Sequence, residues 1–170
     1  MRDDESNATR AVIIERSFDA PRELVFRMWS EPEFLMRWYA PRRCRLEIRH
    51  FEFREGGEFR YRIWEPDGGT GCPQCSAVFT EISAPERIVY TMCFTDEQNR
   101  FLSAKSAVGK EDWPDRTTVT VTFVERNGRT IMTLHQTVPE SLAKRTGAHA
   151  SWLEMFDRLA EGLPAEDQVR

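Results

Sequence analysis

Cys72-Pro73-Gln74-Cys75 is a Cys-x-x-Cys pair, and with Cys44 and Cys93 it accounts for the four cysteines of the chain. Such a pair supplies half of a tetrahedral zinc site, or a redox couple when it opens a helix after a strand. Here it stands between two strand-like runs, so the redox context is missing. The expected strand pairings put Cys44 opposite about residue 68 and Cys93 opposite about residue 77, which gathers the thiols near one end of a sheet. Cys44 shares parity with inward Leu46 and Ile48, whereas Cys93 alternates with inward Met92, so these two face opposite ways. A zinc site is thereby reduced to Cys72, Cys75 and Cys44 with one further ligand. Ordinary reduced thiols are the simpler reading, and a disulfide or redox switch is a third. No cofactor is expected, with zinc at Cys72 and Cys75 as the alternative.

The remaining polar residues define no catalytic constellation. His50, His135 and His149 lack metal-ligand spacing. His135 should face outward opposite Thr120, and His149, just before an apolar helical stripe, is a weak candidate for a general base. Glu81 and Glu125 read as solvated strand residues. Gly68-Gly69-x-Gly71 resembles a phosphate loop only in composition, because no helix follows it. A different set carries more information: Trp38, Phe51, Tyr61, Tyr90, Met92, Trp152, Met155 and Phe156 all fall on faces that meet inside a sheet-and-helix fold. Ligand pockets are largely apolar with a few oriented polar groups, and Tyr61, Tyr90, Gln136 and His149 could supply those groups. The plainer reading is that these aromatics fill a core.

The bulk properties bound the answer. At 170 residues the chain suits one domain that needs no staples, and its formal net charge of -4 argues against general nucleic-acid binding. Arg42, Arg43 and Arg45 form the only basic cluster and read as a solvated turn. No apolar run approaches the ~20 residues of a membrane helix, and Met1 to Arg10 holds no signal-peptide core. A cytoplasmic protein, monomeric or homodimeric, is expected.

The elements that must position these residues follow in order. Residues 1–9 read as a disordered lead-in. Val12, Ile14 and Phe18 alternate along a first strand, and Pro21 opens a short helix with Leu24, Val25, Met28 and Trp29 inside. Ser30-Glu31-Pro32-Glu33 matches a capping box and opens a second short helix through Phe34, Leu35 and Trp38. Leu46 and Ile48 have opposite parity to Phe51 and Phe53, which calls for a bulge near Arg49 or His50 and a bent strand. Glu55-Gly56-Gly57 is expected to pair Phe53 with Phe59 and Phe51 with Tyr61. Val78, Thr80 and Ile82 are expected on the face of Ile88, Tyr90 and Met92. Residues 95–116 show no sustained period and read as a long loop over a cavity. Asn127-Gly128 joins the clearest hairpin, with Val119, Val121 and Phe123 sharing a face with Met132, Leu134 and Gln136. Trp152, Phe156, Leu159 and Leu163 then form the stripe of a closing helix that Gly147 begins or kinks, and residues 164–170 are a polar tail.

This order, with Phe18-Asp19-Ala20-Pro21, Trp38-Tyr39-Ala40-Pro41, Gly56-Gly57-Glu58-Phe59, Phe79-Thr80-Glu81-Ile82, Pro85-Glu86-Arg87-Ile88 and the closing Gly147–Leu163 stretch, resembles the SRPBCC superfamily over about residues 10–163. Within it the chain is similar to the bacterial group named for activators of heat-shock protein 90 ATPase. The resemblance implies an α+β helix-grip fold, in which a curved antiparallel sheet of six to seven strands wraps the C-terminal helix around an apolar cavity. Members of the superfamily bind hydrophobic ligands, and the aromatic inner face together with the lack of a catalytic constellation points to a noncatalytic binding protein for a small hydrophobic or amphipathic molecule. Two rivals follow from the same superfamily: a cyclase or hydrolase using Tyr61, Tyr90 or His149, and a cochaperone-like interaction module with a chaperone as partner.

Overall fold

The structure, a computed structural model, describes residues 10–67 and 72–164. The expected lead-in, the Gly68-Gly69-x-Gly71 run and the tail beyond Pro164 lie outside the described residues, as does the position expected opposite Cys44. Strand β1 (Ala11–Phe18) is followed by helices α1 (Arg22–Ser30) and α2 (Pro32–Trp38). Strands β2 (Arg45–Phe51), β3 (Glu58–Trp64), β4 (Gln74–Ser83) and β5 (Arg87–Thr95) come next, then the two-residue β6 (Phe101–Leu102) and helix α3 (Ala104–Val108). Strands β7 (Arg116–Arg126) and β8 (Arg129–Pro139) precede helices α4 (Glu140–Thr146) and α5 (Ala148–Gly162). The eight-stranded antiparallel sheet runs β1-β8-β7-β5-β4-β3-β2, with β6 on β5. This is the expected helix-grip architecture, and α5 lies across the sheet's concave face.

The hairpin β7–β8 follows the sequence pattern in full: Val119 opposes Gln136, Val121 opposes Leu134, and Phe123 opposes Met132. Asn127 and Gly128 both take positive φ, as a type I′ turn requires. The bulge expected near Arg49 is present, because the β2–β3 register shifts between Ile48 and His50. Its effect on the pairing differs from the expectation. Phe51 opposes Phe59 and Ile48 opposes Tyr61, so Phe53 lies beyond the strand, packed on Phe26 and Phe79.

A second bulge, between Phe79 and Glu81, reverses the expected faces of β4. Cys75, Ala77 and Phe79 point inward and are buried, while Val78 and Thr80 are exposed. Ile82 still opposes Ile88, because the shift restores its parity beyond the bulge. Two helix termini also depart from expectation. Ser30 ends α1, and Glu31 caps α2 with Pro32 in its first turn and no side-chain cap, so the capping box does not form. Pro32 removes one orphan donor outright, which lessens the need for a cap. Residues 95–116 contain β6 and α3 and do lie over the cavity described below.

The closing helix is broken at Gly147, which ends α4 and precedes α5 with φ 86°. Trp152, Met155, Phe156 and Leu159 turn inward, whereas Leu153 is exposed. The outer face is tied down by ions: Arg16 pairs with Asp157, and Arg42 pairs with Glu161 while its backbone N–H meets Glu154. Arg42 is therefore a clamp on α5 as well as a member of a solvated turn.

Glycine serves two different needs here. A Cβ on Gly57 would stand 2.2 Å from the Glu52 carbonyl oxygen and 2.9 Å from that of Arg54, both fixed backbone atoms. At Gly147 a Cβ would meet nothing within 4 Å, so only its left-handed φ opposes a side chain, at a cost of about 1–2 kcal/mol. Urea unfolding should thus show a larger loss for Gly57→Ala than for Gly147→Ala. Equal losses would contradict the tight β2–β3 turn.

Candidate functional site

The inner face of β3, β4 and β5 and the helix α5 do not meet along their whole length. Helix α5 rests mainly on α2, on α4 and to a lesser degree on β1, and the unfilled space forms a cavity of about 400 Å³. Strand β3 contributes Tyr61 and Ile63, β5 contributes Met92 and Phe94, and β8 contributes Gln136. The α4–α5 junction supplies Thr146, Gly147, Ala148 and Ser151, and α5 itself supplies Trp152 and Met155. Val108 ends α3, Lys110 and Trp113 come from the segment after it, and Tyr39, Pro41, Cys44, Glu65 and Cys72 complete the wall.

Two buried polar groups brace this wall. Gln136 accepts a hydrogen bond from Trp152 Nε1 at 2.9 Å and donates from Nε2 to Thr117 Oγ1 at 3.3 Å. The strand and the helix are thereby pinned to each other at the cavity surface. Tyr39 and Tyr90 share a hydroxyl–hydroxyl bond of 2.8 Å, and the Tyr39 ring stands edge-on to Tyr61 and Trp152. Tyr39 follows α2, with its N–H bonded to Leu35, and the next carbonyls, of Ala40 and Pro41, accept from Arg158 of α5. A buried aromatic carrying a satisfied hydroxyl is a rigid wall with a polar edge.

Of the residues singled out in the sequence, Tyr61, Met92, Gln136, Trp152 and Met155 lie on the cavity. Trp38, Phe51, Tyr90 and Phe156 do not, and each has a packing reason. Trp38 is fully buried and donates Nε1 to the Met28 carbonyl at 2.8 Å, which fixes it inside the α1–α2 elbow. Phe156 is buried between Trp29, Trp38 and Trp152. Phe51 packs with Phe53, Phe59 and Phe79 away from the cavity. Tyr90 lies behind Tyr39 and holds its hydroxyl. Tyr39 and Trp113 were not singled out. Tyr39 stands in the same Trp38-Tyr39-Ala40-Pro41 motif, one residue past the helical phase that pointed to Trp38. Trp113 is the one tryptophan of the segment expected to cover the cavity.

His149 is half-buried on the first turn of α5 and is not part of the cavity wall, so a general-base role there lacks geometry. All four cysteines are free thiols. Cys44 and Cys72 line the cavity, but Cys75 is buried and bonded weakly to the Pro73 carbonyl. Among the described residues no group of three or more His, Cys, Asp or Glu side chains is arranged to hold a metal ion. The grouping of Cys72, Cys75 and Cys44 is therefore not assembled. Cys93 opposes Ser76 and Arg116.

The family profile described as "Activator of Hsp90 ATPase homolog 1-like protein" matches residues 19–163. A solution structure from Arthrobacter aurescens has a TM-score of 0.76 at 26% identity, covering 92% of this chain and 88% of its own. A crystal structure from Chromobacterium violaceum has a TM-score of 0.73 at 20% identity, covering 91% and 98%. The AHSA1 protein of Silicibacter pomeroyi has a TM-score of 0.66 at 17% identity, covering 91% and 97%. These likenesses show the fold, which in general terms is that of a ligand-binding domain. No curated protein matches the chain. Among the described residues no helix is long and apolar enough to cross a membrane.

Burial sets the protonation of the site. It pushes the Cys75 thiol from an ordinary 9.0 up to about 12, and the Tyr39 hydroxyl from 10.0 to about 12. Tyr61 and Tyr90 rise well above 10.0 for the same reason. Each of these acids holds its proton more tightly when folded. Their contribution to stability is complete below the unfolded values of 9.0 and 10.0 and is lost as pH rises through the folded values. The melting temperature should hold to about pH 8.5 and fall steeply above about pH 10. Tyr90→Phe should melt lower at neutral pH yet lose less over that alkaline range; parallel curves would contradict the assignment.

Proposed function

Because this chain belongs to the Activator of Hsp90 ATPase homolog 1-like family, whose profile spans its sheet and closing helix, we propose that it binds a small hydrophobic or amphipathic molecule between them without catalysing a reaction. The observation that carries this reading is the cavity of about 400 Å³ walled by Tyr61, Met92, Phe94, Trp152 and Met155. That volume falls within the range of about 300–1,000 Å³ typical of small-molecule sites, which are apolar with a few fixed polar groups. Gln136 and the hydroxyls of Tyr39 and Tyr61 are those groups. Burial keeps the two phenols protonated at neutral pH, so they orient a ligand and do not take protons from it. The cochaperone alternative draws on the family description alone, whereas the cavity is a feature of this chain. The proposed setting is the cytoplasm, where the thiols of Cys44 and Cys72 stay reduced.

A panel of lipids and aromatic metabolites, screened by thermal shift and native mass spectrometry, tests the reading. A true ligand should bind one-to-one and, at a hundred times its dissociation constant, stabilise the fold by about 2.7 kcal/mol. The double variant Trp152→Ala, Met155→Ala should lose most of that gain. If the same compounds stabilise wild type and double variant equally, the molecule is held elsewhere and the proposal fails.

A further inference from the structure

We infer that Trp113 is a partition that limits the length of the molecule the cavity admits. The inference rests on the binding reading above. A second chamber of about 60 Å³ lies behind the main cavity, and Met92, Phe94, Trp113 and Gln136 line both. Met92 and Phe94 are fixed on β5, and Gln136 is held on β8 by its bonds to Trp152 and Thr117. Trp113 alone comes from the irregular chain between α3 and β7, and it is only partly buried. Its neighbour Lys110 sits 6.0 Å from the ring centroid, so the indole has a charged group on one side and the apolar floor on the other.

The chemistry of the smaller chamber says which end of a ligand it takes. Its polar groups already have partners: Asp115 accepts from the Ala104 N–H at 2.8 Å, Thr117 accepts from Gln136, and Cys75 faces the Pro73 carbonyl. Cys93 and the exposed Asp115 stand at its polar edge, while Met92, Phe94 and the Trp113 ring offer apolar surface. The chamber therefore suits the tail of an aliphatic chain. Sixty cubic ångströms is the volume of about two water molecules, so the chamber alone admits about two further methylenes, and the space the indole vacates adds to that once Trp113 is removed.

The test is calorimetric titration of a series of saturated straight-chain carboxylic acids of increasing length. Each added methylene that is buried raises affinity about fourfold. In the wild type this gain should stop at the length where the tail reaches Trp113. In Trp113→Ala it should continue for at least about two more carbons, an increase of roughly fifteenfold or more at the longer lengths. Trp113→Leu, which keeps an apolar side chain and guards against a misfolded alanine variant, should give a smaller shift of the same sign. If the wild type binds the acids and all three proteins share one length limit, Trp113 is not the partition and only this inference falls. If no acid binds the wild type at any length, the binding reading itself fails for aliphatic ligands and takes the inference with it.

Discussion

The concave face of the sheet is apolar from β1 to β3, and one fifteen-residue helix is laid across it. At 1.5 Å per residue, α5 spans about 22 Å, too little to cover a bent sheet of this width. The α1–α2 elbow makes up the difference at one end. Trp29 and Trp38 of the elbow meet Trp152 and Phe156 of α5, with Trp29 stacked on Trp152 and edge-on to Trp38. All four side chains of this aromatic joint are buried. At the other end nothing of comparable bulk is supplied, and the uncovered volume becomes the cavity. Its existence follows from a mismatch between one straight helix and a sheet that bulges have bent.

What keeps such a space from collapsing is the rigidity of its walls. The Gln136 amide is bonded to Trp152 on the helix and Thr117 on the neighbouring strand, so closing the gap would strand buried polar groups, each at a cost of about 1–3 kcal/mol. Tyr39 is held from three directions: by its own helix end, by Tyr90, and through the adjacent carbonyls by Arg158. Arg42, clamped to Glu161 and Glu154, fixes the chain just beyond it. A wall with locked rotamers loses little entropy when a ligand arrives, which is the physical sense of preorganisation.

Much of this architecture was legible in the residues. Period-two patterns with a single turn signal, as in β7–β8, gave register and facing side chains together, because no irregularity intervened. The Ile48–Phe51 parity break announced its bulge for the same reason. The site was less legible where a bulge left no parity break to read: Val78, Thr80 and Ile82 form an unbroken alternation, yet the shift near Thr80 turns Phe79 and Cys75 inward instead. Tyr39 and Trp113 escaped because both lie where periodicity has ended, one past a helix and one in an irregular crossing, so tertiary contacts alone assign their directions. The expectation of a cover over residues 95–116 had the right segment without the residue that matters in it.

A preformed binding site between β5 and α5 would keep its shape whether or not a ligand is present. A crystal structure of the protein saturated with its tightest-binding probe tests this most directly. Density for the probe is expected against Trp152 and Met155, with the Gln136–Trp152 and Tyr39–Tyr90 hydrogen bonds unchanged from the free protein. A cavity filled by its own side chains, with the probe bound elsewhere on the surface, would contradict it.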